Sequence, residues 1–298
     1  MRVFVTGASG FIGSAVVPEL LKAGHQVTGL ARSDASAAAL TAAGAGVLRG
    51  DLTDLDSLRS GAAASDGVVH LAYNHDFSQM GVAAQMDRAA LEAIWEALAG
   101  TDRPLVFASG VVGMTPGRTA TERDSPSSGL HPRIATMQAA LALASRGVRV
   151  VSLRFAPTVH GEGDHGFMQV LIEIARQKGA SGYVGDGENR WPAVHRLDAA
   201  LLVRLALEDG EAGSSLHAVA EEGVRIRDVA EVIGRYLGLS VVSIPAEQAS
   251  EHFGWMGMFI GVDSPVSSAL TREWMGWQPT HPGLIEDLNQ GHYFQNLA

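Results

Sequence analysis

Residues 3–14, Val-Phe-Val-Thr-Gly-Ala-Ser-Gly-Phe-Ile-Gly-Ser, constrain the fold of this chain more than any other stretch. A short β-branched run enters three glycines spaced G-x-x-G-x-x-G, and an apolar, helix-compatible segment follows. In that strand–turn–helix context Gly7 lets the chain turn, Gly10 lets backbone approach a pyrophosphate, and Gly13 lets helix and strand pack closely. Ser9, Phe11 and Ile12 lie between them, where the free N–H groups and positive end of a helix attract phosphate. A glycine turn without function is the bland alternative, and the flanking strand and helix favour a dinucleotide site.

Composition narrows the classes that remain. A chain of 298 residues has room for a large core and a second lobe. Its net charge of −10 argues against a nucleic-acid binder, because no broad basic face would neutralise phosphates. With no cysteine there is no disulfide, thiolate nucleophile or Cys-ligated metal. The eleven histidines show no helical i,i+4 pair with a third acid, so no metal is expected; the glycine-rich loop His160–His165 is the weak exception. The apolar stretch 197–207 is broken by Asp198 and Arg204 and is too short to span a bilayer. No charged-then-apolar leader precedes the first strand, and a soluble cytoplasmic protein is the expectation.

Residues 1–155 alternate β-type runs with helical patterns, which predicts βαβ units on a parallel sheet. Strands are expected at Val3–Thr6, Gln26–Ala31, Val47–Gly50, Gly67–Leu71, Pro104–Ala108 and Val148–Arg154. Helices are expected near Phe11–Ala23, Leu55–Ala63, Val82–Ala99 and Arg133–Ser145, with a bend at Pro18. The small-residue faces of the last two suit either a core or a second copy of the chain, as in a homodimer. Residues 110–132 form a long Gly/Pro/Ser-rich connection, read as an active-site lid. Further on the alternation decays into shorter elements, one of them a helix expected to start at Ser264-Pro265.

Several motifs in order carry a family resemblance: T-G-A-S-G-F-I-G-S, then Gly50-Asp51-Leu52, His70-Leu71-Ala72, Leu153 to Gly161, Val194 to Ala199, and Met275-Gly276-Trp277. Together they resemble the extended short-chain dehydrogenase/reductases, the nucleotide-sugar-epimerase-like proteins. The resemblance implies an α/β, doubly wound parallel sheet of Rossmann type over residues 1–160. It also implies a smaller, mixed substrate lobe over 161–298, some of whose segments return to the first sheet. By the same resemblance Asp51 and Leu52 hold an adenine. Leu71, Ala72 and Tyr73 run beside the cofactor's ribose and nicotinamide, and Pro157, Thr158 and Val159 flank the nicotinamide. Charge indicates which cofactor: where an NAD site places an acid after the second strand, this chain has Ala31, then Arg32 and Ser33. Arginine offers a fork of donors to a 2′-phosphate, so NADP(H) is expected, with Asp34 the opposing feature.

The family's Tyr-x-x-x-Lys pair is missing: Arg133 and Met137 stand at its two positions. Four residues are candidates for the lost chemistry. Ser109, at the end of the fifth strand, matches the serine that holds a substrate oxygen, or is a small turn residue. Arg133 can stabilise an oxyanion but is a poor proton donor, or is a solvated arginine at a helix start. Tyr73 and His75, after the fourth strand, can donate a proton, or the polar residues there cap the next helix. His160 and His195 fit structural or pocket-lining roles. Trp191, Trp255, Met256, Met258 and Phe259 suggest an apolar or aromatic small-molecule substrate, while Arg190 and Arg196 keep a diphosphate open. The expected activity is NADPH-dependent reduction of a small carbonyl or a polarised C=C or C=N bond. A non-catalytic redox sensor and an epimerase with retained cofactor are the alternatives.

Overall fold

Val3, Phe4, Val5 and Thr6 are all buried to within 1% exposure, as a strand covered on both faces requires. The computed structural model describes residues 1–74, 79–112, 114–125 and 132–295. The first six strands are β1 (Arg2–Thr6), β2 (Gln26–Ala31), β3 (Gly46–Arg49), β4 (Gly67–His70), β5 (Pro104–Gly110) and β6 (Arg149–Phe155). Between them run α1 (Gly13–Lys22), α2 (Asp34–Ala42), α3 (Leu55–Ala63), α4 (Met80–Leu98) and α5 (Pro132–Ala142). There follow β7 (Thr158–His160), α6 (Phe167–Lys178), β8 (Ala180–Val184), β9 (Arg190–His195), α7 (Arg196–Asp209) and β10 (Ser215–Ala218). The chain ends with β11 (Glu221–Arg225), α8 (Ile226–Leu237), β12 (Ser240–Ile244), α9 (Ala249–Phe253), α10 (Ala269–Met275) and α11 (Leu284–Asn289).

Seven parallel strands in the order β10-β6-β5-β4-β1-β2-β3 make the central sheet. Alternate residues feed two cores. Val5, Val69, Val106 and Val151 pack with α1, α7 and Trp277 on one face; Phe4, Val68, Leu105 and Phe107 pack with α3, α4 and α5 on the other. The second lobe has its own core around Trp191, Phe253 and Met256, with the sheet β11-β9-β7 and the pair β12-β8. Residues 158–160 belong to that lobe, whereas α7 and β10 return to the first layer, so a single boundary at 160 does not divide the two.

Four local features differ from the sequence reading or refine it. α2 was not expected, because its run of alanines has no apolar period; Ser33 caps it by accepting the Ser36 N–H at 3.2 Å. α1 continues through Pro18 to Lys22. Ser264-Pro265 does not start a helix: Val266 bridges Ala120, and α10 begins at Ala269 after Ser268. The described part of the connection after β5 is fastened down rather than loose. Ala120 N–H donates to the Pro265 carbonyl at 3.0 Å, Glu122 accepts the Thr271 N–H at 2.6 Å, and Arg154 donates to the Asp124 carbonyl at 2.8 Å.

Candidate active site

The glycine turn is built as a cradle. Gly7 has φ +67°, and a Cβ there would stand 2.7 Å from the Ala72 nitrogen. At Gly13 a Cβ would fall 2.0 Å from the Gly7 carbonyl oxygen, while at Gly10 it meets only that same oxygen, at 3.2 Å. α1 opens at Ile12 with no side-chain cap and no acid in its first turn, so its positive end is left for an anion. Phe11 lies edge-on to His165 at 5.8 Å and under Arg196 at 5.3 Å, which brings the second lobe against the turn. Ser9 is exposed beside it.

Around this turn lie the strand ends that carry the other residues expected at a dinucleotide. Arg32 and Ser33 are exposed after β2. Asp34 is ion-paired with Arg49, whose guanidinium also donates to the Ser33 carbonyl at 2.6 Å. The opposing acid is therefore matched by Arg49, and the exposed Arg32 faces the Asp51 side of the turn, where its charge helps hold that carboxyl low. Asp51, after β3, accepts from the Thr53 hydroxyl at 2.6 Å and the Thr53 N–H at 2.7 Å; these bonds hold its carboxyl below the usual range. It is fixed as a turn residue, with Leu52 half-buried beside it. Leu71, Ala72 and Tyr73 follow β4, half-buried, and Pro157 and Val159 flank Thr158. The Thr158 hydroxyl is buried with no protein partner among the described residues. The orphaned hydroxyl, the uncapped helix and the glycine cradle all fit a dinucleotide lying across this edge.

At the sheet edge where the family's acid belongs, the residues are different ones. The Arg133 guanidinium lies 3.9 Å from the centre of the Tyr73 ring. Its Nη2 donates to the Ala108 carbonyl at 2.7 Å and its Nε to Asp87 at 3.1 Å. Asp87, 2% exposed, also accepts from His70 at 3.3 Å. Burial works to raise the Asp87 carboxyl, but the His70 hydrogen bond and the Arg133 charge outweigh it and hold it low. Burial raises the Tyr73 phenol, against the pull of Arg133.

Ser109 does not join this pair: its hydroxyl is buried and bonded to Ser152 Oγ at 2.9 Å, within the sheet layer. Met137 packs in the core with Phe107 and Ala140. His75 lies outside the described residues. Asp87 escaped the sequence reading, although one signal pointed to it. It falls in the apolar stripe Ala84, Leu91, Ile94, Leu98 of α4, where a lone acid must find a counter-charge.

Two candidate histidines of the second lobe are held by their neighbours. His160 is buried with Nδ1 2.9 Å from Asp287, and His195 caps α7 by accepting the Leu197 N–H at 3.3 Å. Burial and the neighbouring His160 push His195 down to about 4. No group of three His, Asp or Glu converges on a metal position among the described residues. Of the expected apolar lining, Trp191 and Met256 are core, whereas Trp255 and Met258 are exposed. Phe167 bridges Trp191 and Trp255 at 5.5 and 5.8 Å. Arg190 is paired with Asp263 at 2.9 Å. No helix among the described residues is long and apolar enough to cross a membrane.

Sheet order, glycine turn and strand-end cleft define a dinucleotide-binding α/β protein. The chain belongs to the NAD dependent epimerase/dehydratase family, whose profile matches residues 3–219. An uncharacterized protein of Schizosaccharomyces pombe is 50% identical, covering 99% of this chain and 100% of the relative. One of Saccharomyces cerevisiae is 45% identical, covering 98% and 99%. The fold is shared with the dTDP-glucose 4,6-dehydratase DesIV of Streptomyces venezuelae, solved with NAD bound, at a TM-score of 0.78 and 21% identity, covering 99% of this chain and 98% of that one.

Proposed function

We propose that this protein is an NADP(H)-dependent oxidoreductase that reduces a small, apolar or aromatic carbonyl compound, with Tyr73 as proton donor and Arg133 as the charge that assists it. The observation that carries the reading is the Arg133 guanidinium over the Tyr73 ring at 3.9 Å, at the end of the strand beside the cleft. The bound, reduced cofactor supplies the hydride to the carbonyl carbon. As charge develops on the carbonyl oxygen, Tyr73 Oη transfers its proton there, giving the alcohol, and solvent later returns a proton to the phenolate. A half-buried phenol is held protonated at neutral pH, so it is ready to give but reluctant to lose its proton. The fixed cation on its ring face offsets that reluctance by stabilising the phenolate as it forms. Arginine keeps its charge at any working pH, so it takes over the task of the family's lysine without giving a proton itself. Preference for NADP(H) rests on Arg32, with Asp34 already matched by Arg49.

A non-catalytic sensor of the cofactor's redox state is the second reading. Met137 at the family's lysine position favours it, because a thioether sealed in the core cannot do a lysine's work, and the Ser109 hydroxyl is engaged with Ser152. NADPH deuterated at its transferable position, incubated with ketones, aldehydes, enones and imines, separates the two. Label in a product is the expected result, with Tyr73→Phe lowering turnover by about 10²–10⁴-fold and leaving NADPH affinity intact. Tight NADPH binding with no label in any product overturns the reductase and leaves the sensor.

A further inference from the structure

Behind Arg133 lies a buried polar chain that runs through four elements. Arg133 Nε donates to Asp87 Oδ2 at 3.1 Å, and Asp87 Oδ1 lies 3.3 Å from His70 Nε2. His70 Nδ1 lies 2.9 Å from Thr6 Oγ1, and the Ala72 N–H donates to that same oxygen at 3.3 Å. Thr6, His70 and Asp87 are each 2% exposed or less. The protons follow from the acid. An ionised Asp87 takes the Nε2–H of His70, and Nδ1 can then accept the Thr6 hydroxyl proton while Thr6 Oγ1 accepts the Ala72 N–H. His70 is then the neutral tautomer protonated at Nε2, and that N–H goes to Asp87. A doubly protonated His70 would leave the buried Thr6 proton without an acceptor among the described residues, at the cost of an unsatisfied donor. The chain therefore holds one cation, one anion and neutral links, and it balances.

We infer that Asp87, His70 and Thr6 are positioning residues that hold the Arg133 cation on the Tyr73 ring and tie it to the backbone of Ala72 on the cofactor side. The Ala108 carbonyl holds Nη2 and the buried Asp87 carboxylate holds Nε, so the guanidinium plane is fixed from two sides, and the His70–Thr6 link fixes the carboxylate in turn. Ala72 is the residue a Cβ at Gly7 would strike, so the relay ends on the wall of the glycine cradle. Acceptor site and cofactor site thus share one rigid unit across α5, α4, β4 and β1.

The inference rests on the reductase reading, and the test separates the two. Asp87→Asn keeps the shape and removes the charge. Expected are a kcat lower by about 10–100-fold, the worth of a charged hydrogen bond, with KM and NADPH affinity within about twofold. In an Arg133→Met background Asp87→Asn should add no further loss, because Asp87 acts through Arg133. Unchanged kcat, or losses that add in the double variant, overturns the inference while leaving the reductase reading standing. If the wild type transfers no label, the reductase reading falls, and the relay is judged by NMR. A protected Arg133 Nε–H signal and a His70 proton on Nε2 are expected, both shifted in Asp87→Asn. Persistence of the Arg133 signal unchanged in that variant overturns the relay. Thr6→Val, which cuts the far end without touching a charge, serves if Asp87→Asn does not fold. It should release the His70 tautomer, and a tautomer that stays on Nε2 counts against the chain.

Discussion

Arg133 and Met137 occupy neighbouring turns of one helix and have opposite fates: the first faces Tyr73, and the second is sealed in the core. Single positions elsewhere are equally decisive. Gly13→Ala would press a methyl group onto the Gly7 carbonyl, so a loss of about 1–3 kcal/mol in unfolding free energy is expected, together with at least about tenfold weaker NADPH binding. Denaturant titration and cofactor fluorescence read the two effects separately. Arg32→Gln should weaken NADPH by about 10–100-fold and leave NADH unchanged, which paired binding isotherms would show. Equal losses for both cofactors would remove the 2′-phosphate argument. Ser109→Ala loses a buried hydroxyl pair, so about 1 kcal/mol of stability should go while kcat stays within about threefold. A kcat fall near 100-fold would return Ser109 to the substrate oxygen.

Elements whose rules are local were legible in the chain, and those that depend on distant partners were not. β1 and the start of α1 could be read because β-branching and glycine spacing act within a dozen residues. α2 could not, since alanine serves a helix as well as a loop until a cap is seen. Ser33→Ala should cost about 0.5–2 kcal/mol through that cap, measured by thermal melting, and weaken NADPH less than Arg32→Gln does. Tyr73 and Arg133 each stood out on their own as candidates, yet their contact is set by the packing of α5 against α4, which no spacing encodes. The same is true of Asp87, whose meaning depends on two residues far from it in sequence. The inward turn of Ser109 was hidden because strand-end residues look alike until the register with Ser152 is known.

Across the whole molecule, buried histidines make stability depend on pH. His217 sits between the Ser267 carbonyl at 2.7 Å, which needs an Nδ1–H donor, and Arg154 at 3.3 Å, which needs Nε2 as acceptor. Burial pushes it down to about 4 from 6.5, and His195 likewise. Unfolded chains take up both protons near pH 6.5 and folded ones only near 4, so stability is full above pH 6.5 and falls as pH drops towards 4. The loss is on the order of 3 kcal/mol for His217, and His217→Asn should flatten the curve of unfolding free energy against pH over that window. Trp277, fully buried and donating to the Asp198 carbonyl at 3.0 Å, closes the C-terminal segment onto α7.

The return of α7 and β10 to the central sheet also governs how such a chain can be altered over evolutionary time. Its second lobe is not a cassette. Cutting at residue 160 would strip β6 of its outer neighbour and uncover the face of α1 that α7 protects. Recombination between relatives at that point should yield insoluble hybrids. Change in the second lobe would then come by single substitutions, on a scaffold whose two lobes cannot be exchanged separately.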